Sequence, residues 1–97
     1  MKVIVYCTIN MINKHIYIGV HLCKSEKFDG YLGCGVYINK PSTYNHPKTA
    51  FQDAVQRYGP KNFKRITIKE FNNEEDAYIL ESEIVTKEFI ARTDVYN

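Results

Sequence analysis

The sequence predicts an α/β domain of the α+β kind, a small three-stranded antiparallel sheet flanked by helices, and three observations carry that expectation. Residues 2–9 and 15–21 are rich in β-branched and aromatic residues, and the second stretch alternates strictly. Two later stretches place apolar residues at helical spacing. The 97 residues, 44% apolar and 25% charged, suit a single core spanning residues 1–97 and leave no room for two domains.

Lys2 to Ile9 is the first expected strand, and Asn10-Met11-Ile12-Asn13-Lys14 has the composition of a turn. In residues 15–21, Ile16, Ile18 and Val20 share one face, while His15, Tyr17, Gly19 and His21 share the other. A loop of residues 10–13 sets Ile9 opposite Lys14 and Tyr6 opposite Tyr17, with His21 nearby. Residues 22–45 contain three of the five glycines and read as largely irregular, with a short helical turn near 24–28. A loop this long in a small domain is usually functional.

His46-Pro47 is expected to open a helix whose apolar positions are Phe51, Ala54, Val55 and Tyr58, and Gly59-Pro60 to stop it. Phe63 to Phe71 sets Ile66 and Ile68 against Arg65, Thr67 and Lys69, giving the third strand. Asn72 or Asn73 can cap a last helix whose first turn, Glu74-Glu75-Asp76, suits the positive end of the helix dipole. Within that helix Ala77, Leu80, Ile84 and Val85 form an apolar stripe, and Glu81 lies inside it. Such a carboxylate either edges out to solvent or pairs with a lysine, or it faces a cleft where it can bind a divalent cation. Glu88, one heptad later, is a second candidate.

Several function classes are excluded or left without support. No apolar stretch approaches the roughly 18 residues of a membrane span, and the N-terminus lacks a signal-peptide pattern, so a soluble intracellular, cytoplasmic protein is the default. Cys7, Cys23 and Cys34 are odd in number with no C-x-x-C pair, which argues for free thiols over disulfides or a zinc knuckle. Nothing fits a P-loop, a dinucleotide fingerprint, a nucleophile elbow or a zinc helix. The net charge is only +2, but residues 1–69 hold 11 of the 13 Lys/Arg against three acids, and residues 70–97 hold eight acids. A domain polarised in this way can offer a basic surface to phosphates while keeping carboxylates for a metal.

Five segments, in order and at compatible spacing, resemble the GIY-YIG endonuclease family. Ile4-Val5-Tyr6 and Tyr17-Ile18-Gly19 look like its paired motifs, with Ile4 where glycine is usual. Ala77-Tyr78-Ile79-Leu80-Glu81 resembles the helix of the metal-binding glutamate, and Val95-Tyr96-Asn97 the terminal Tyr-Asn. His46 through Phe63 is similar to the middle helix and turn of phage homing-endonuclease domains, and Tyr-Ile-Gly-x-His with Asp-Gly-Tyr-x-Gly-x-Gly looks like a phage-borne subgroup.

The resemblance implies a metal-dependent DNA endonuclease that hydrolyses a phosphodiester with one divalent cation, Mg²⁺ or Mn²⁺. Its location would then be the host cytoplasm if phage-encoded. Tyr6 or Tyr17 would serve as general base or water positioner, Glu81 would hold the metal and Asn97 would support the site. A phenol's pKa of about 10 makes it a poor base at neutral pH unless a cation lowers it. The family's helical arginine after the second motif has no counterpart here, since no arginine precedes Arg57. Its role falls to His21, or to Lys27 or Lys24. Lys24, Tyr31, Lys48, Arg57 and Lys61 are the further candidate DNA contacts. A domain this small has little surface for reading sequence, which implies an appended DNA-binding region, a homo-oligomer or a branched substrate. The alternative is a catalytically inactive nucleic-acid-binding or protein-interaction module on the same fold.

Overall fold

The structure is a computed structural model and describes residues 2–97. Its centre is a three-stranded antiparallel sheet in the order β2-β1-β5, formed by β1 (Lys2–Asn10), β2 (Ile16–Cys23) and β5 (Phe63–Phe71). A two-stranded hairpin, β3 (Tyr31–Gly33) and β4 (Val36–Tyr37), precedes α1 (Ala50–Tyr58). After β5 come α2 (Glu74–Ile84) and the single-turn α3 (Lys87–Ile90). The expected α+β architecture is therefore observed.

The central strand β1 is buried on both faces because each face carries its own core. On one side Val3, Val5, Cys7 and Ile18 pack against Ala77, with Leu80, Ile84, Val85 and Phe89 around them. The other core joins Leu32 and Val36 of the β3–β4 hairpin to Phe51, Ala54, Val55 and Phe63, with Tyr17 and Tyr96 at its edge. Period-2 alternation in β1 and β2 thus sends aliphatic residues to α2 and the tyrosines to the α1 side.

Four local expectations are corrected. First, Ile9 pairs with Ile16, so Tyr6 lies opposite Gly19 and Tyr17 opposite Thr8. The turn is wider than four residues: the Asn10 side chain accepts the Ile12 amide, Lys14 takes a left-handed conformation at φ 65°, and the Asn10 amide reaches the His15 carbonyl. The shift is two residues, so both tyrosines keep the same face. Second, residues 24–28 form no helical turn. The glycine-rich stretch is instead an ordered hairpin whose Cys34-Gly35 turn has positive φ at both positions, 50° and 77°.

Third, α1 starts at Ala50 rather than at His46-Pro47, because Thr49 is extended and its side chain accepts the Gln52 amide. Fourth, the last helix breaks at Val85, and Thr86 caps a separate turn, so Glu88 does not continue the Glu81 face. The expected third strand is observed over Phe63–Phe71, and its Ile66 and Ile68 are 42% and 44% exposed. β5 is an edge strand, and a register shift opposite Val5/Tyr6 interrupts its alternation after Thr67.

Candidate active site

The α1-side face of the sheet carries a row of aromatic rings. The Tyr17 and Tyr6 centroids are 6.3 Å apart, Tyr6 meets Tyr31 edge-on at 6.1 Å, and Tyr31 stacks on His21 at 4.1 Å with 13° between planes. Register explains how this row fits. Tyr6 crosses over Gly19, where a Cβ would lie 2.5 Å from the tyrosine Oη. Gly33 closes the other side: its Cβ would sit 2.8 Å from the Tyr6 Oη and 2.8 Å from the Tyr17 ring, and its φ of +133° is a conformation that side chains rarely adopt.

The two tyrosines differ in access. Tyr6 is 1% exposed, and burial drives its hydroxyl pKa far above the ordinary phenol value. Tyr17 is half-buried, stacked on Phe51 at 4.9 Å. Burial and then a hydrogen bond with Cys34 raise its pKa, and the negative charge of Glu81 raises it further. At neutral pH both are hydroxyls, and Tyr17 is the one that a solvent-borne group can meet.

Glu81 is half-buried on α2, and its pKa is raised by burial alone. It forms no salt bridge among the described residues. Of the two readings of this carboxylate, pairing with a lysine is therefore not observed. No group of three or more His, Cys, Asp or Glu that could hold a metal occurs among the described residues. One carboxylate is nevertheless compatible with a water-rich Mg²⁺ site, because that ion keeps several waters and needs only one or two protein carboxylates.

Asn97 anchors the end of the chain beside Tyr17. Its Oδ1 accepts the Ile18 amide at 2.9 Å and its Nδ2 donates to the Ile18 carbonyl at 2.8 Å. With the parallel bridge between Val95 and Ile16, the segment behaves as a short extra strand on the β2 edge. Two motifs far apart in sequence thereby meet at one edge.

The basic candidates are scattered. Lys24 and Lys27 lie in an exposed bend after β2, and Lys27 borders a groove with Phe28 and Arg65. Lys48 and Lys61 are exposed at either end of α1, with Lys61 on a 3-10 turn. Arg57 pairs with Asp53 at 3.2 Å and lines a groove with Asn13, His15 and Tyr96 at the β1–β2 turn. That groove is at the opposite end of β2 from His21.

Two residues were not singled out as site candidates from sequence. Asp29 binds His21 at 2.6 Å, and Arg65 of β5 reaches Asp29 at 3.2 Å, with its side chain only 8% exposed. The signal for Arg65 was its place on the polar side of the third strand. Its destination depended on pairing Thr8 with Arg65, which no local pattern encodes.

Comparison with known proteins bears on this site. The chain is 38% identical over its whole length to segD, and 41% identical over 96% of its length to segE, both of Enterobacteria phage T4 and both named "Putative endonuclease". It spans 37% and 38% of those relatives' lengths. No family model matches, and no solved structure matches. The chain is thus similar from end to end to a minor part of longer phage proteins that bear an endonuclease name.

Proposed function

We propose that the chain is a divalent-metal-dependent endonuclease domain of the GIY-YIG type that hydrolyses DNA phosphodiester bonds. The observation that carries this reading is that Asn97 bonds the backbone of Ile18 beside Tyr17, while the charge of Glu81 on α2 is felt at the Tyr17 hydroxyl. The endonuclease names of the phage relatives support it.

Glu81 would hold Mg²⁺ or Mn²⁺, which when bound supplies positive charge to the phosphate and to the leaving oxygen. The raised Glu81 pKa reflects a partly desolvated carboxylate with no cation of its own, the state that a bound cation relieves. Tyr17, a hydroxyl at neutral pH, would orient the attacking water by hydrogen bonding. Tyr6 would act beneath the surface, holding Tyr17 and Tyr31 in place. His21 would stand where the family has arginine, with its free ring nitrogen accepting the proton of the attacking water. Asn97 keeps the β2 edge in register under Tyr17.

The basic excess of residues 1–69 would attract the DNA backbone. High sequence specificity would come from a further DNA-binding region or a second copy of the domain. No helix among the described residues is long and apolar enough to cross a membrane. The test is nicking of supercoiled plasmid with Mg²⁺ or Mn²⁺. Nicking that EDTA abolishes is expected; a folded protein that binds DNA but cuts neither plasmid nor branched substrates would be the binding module instead.

A further inference from the structure

One carboxylate in this fold is gripped on both oxygens by side chains from different strands. Asp29, between β2 and β3, meets His21 Nε2 on Oδ2 at 2.6 Å. On Oδ1 it accepts the Arg65 guanidinium at 3.2 Å and the Tyr31 amide at 3.0 Å. Arg65 also donates to the Tyr31 carbonyl at 3.0 Å and lies 4.7 Å from the Phe28 ring centre. A guanidinium this far from water is costly unless paired, so the cluster is not a chance surface contact. Burial tends to raise the Asp29 pKa, but His21, the Tyr31 amide and Arg65 outweigh it and hold the carboxyl below its ordinary range.

An ionised carboxylate accepts and cannot donate, so the ring nitrogen that bonds it must carry a proton. That nitrogen is Nε2, which leaves Nδ1. No described residue bonds Nδ1, and among the described residues no buried side-chain polar atom lacks a partner, so Nδ1 meets solvent. The stacked Tyr31 ring blocks the imidazole from turning over.

We infer that Asp29 and Arg65 are positioning residues for His21: Arg65 holds Asp29, Asp29 holds the Nε2 proton, and the assembly presents the Nδ1 lone pair as proton acceptor to the water that attacks the backbone of a bound DNA strand. The inference rests on the endonuclease reading above. It also gives the arginine a different place from the family's. Arg65 stands one carboxylate behind the imidazole, its donors engaged by Asp29 and the Tyr31 carbonyl.

The test has two readouts. In ¹⁵N-histidine NMR spectra, wild-type His21 should carry its proton on Nε2, while Asp29→Ala and Arg65→Met should show mixed tautomers with faster ring-proton exchange. In single-turnover plasmid cleavage with Mg²⁺, Asp29→Asn and Arg65→Met should slow the chemical step about 10–100-fold, the range for groups that orient a working side chain. The DNA concentration for half-saturation should not change, and Arg65→Lys should recover part of the rate. A neutral wild-type His21 protonated on Nδ1 rather than Nε2, or a folded Asp29→Asn protein cutting at the wild-type rate, would overturn the inference. A wild type that cuts nothing would refute the endonuclease reading, and the tautomer spectrum would still decide whether Asp29 and Arg65 hold the ring.

Discussion

Replacing Gly19, Gly33 and Gly35 one at a time by alanine separates space from conformation around the tyrosines. At Gly35 nothing lies within 4 Å of a new Cβ, and only the φ of +77° opposes it, at about 1–2 kcal/mol. At Gly19 no positive φ is involved, but the Cβ falls 2.5 Å from the Tyr6 Oη and 2.8 Å from its Cζ. Tyr6 is fully buried and has little room to retreat, so overpacking of about 1–3 kcal/mol is expected. Gly33 combines both faults, a φ of +133° and contacts of 2.8 Å to each of two tyrosines, for roughly 3 kcal/mol or more. In a domain this size each kcal/mol lowers Tm by about 4–8 °C. Thermal and urea denaturation should therefore rank the losses Gly33→Ala, then Gly19→Ala, then Gly35→Ala. Adding Tyr6→Phe to Gly19→Ala should return only part of the loss, since the Cζ contact persists. A Gly19→Ala protein as stable as wild type would refute the placement of Tyr6 over Gly19.

Three further outcomes follow from the same geometry. Burial holds the Glu81 carboxyl above its ordinary range, so between its unfolded and folded pKa values the native state binds more protons. Stability is then lost as pH rises through that window, and Glu81→Gln should melt at or above the wild-type Tm at pH 7; a clear drop would contradict this. Asn97→Ala removes two hydrogen bonds from Ile18, which should cost about 1–2 kcal/mol and raise amide exchange at Ile18. DNA binding should weaken steeply with added salt, measured by fluorescence anisotropy, because the contacts proposed are to phosphates; a salt-independent Kd would exclude a backbone-dominated interface.

Strong local patterns were legible in the sequence, while placements that depend on long-range pairing were not. The alternation of Ile16, Ile18 and Val20 against Tyr17, Gly19 and His21 is observed, because one face of β2 is buried under α2 and a slip by one residue would expose it. Pairing register was not legible, since Asn10 and Lys14 widen the turn through a side-chain hydrogen bond and a left-handed residue. The segment 29–37 looked irregular because its strands are three and two residues long, below the length at which alternation can be seen. The alternation of Ile66 and Ile68 with Arg65, Thr67 and Lys69 predicts the strand but not which side is buried: the Arg65 side chain is nearly buried and the two isoleucines are exposed. An edge strand with an interrupted register lets apolar residues face solvent.

The most direct test of the account is a Mg²⁺ titration of single-turnover DNA cleavage, comparing wild type with Glu81→Gln. The account predicts cleavage that saturates with Mg²⁺ and vanishes in EDTA. It also predicts a Glu81→Gln rate lower by more than about 100-fold, beyond the range of outer-shell effects, with unchanged DNA affinity and an intact fold. Cleavage that persists in EDTA, or a Glu81→Gln protein that follows the wild-type Mg²⁺ curve, would contradict it.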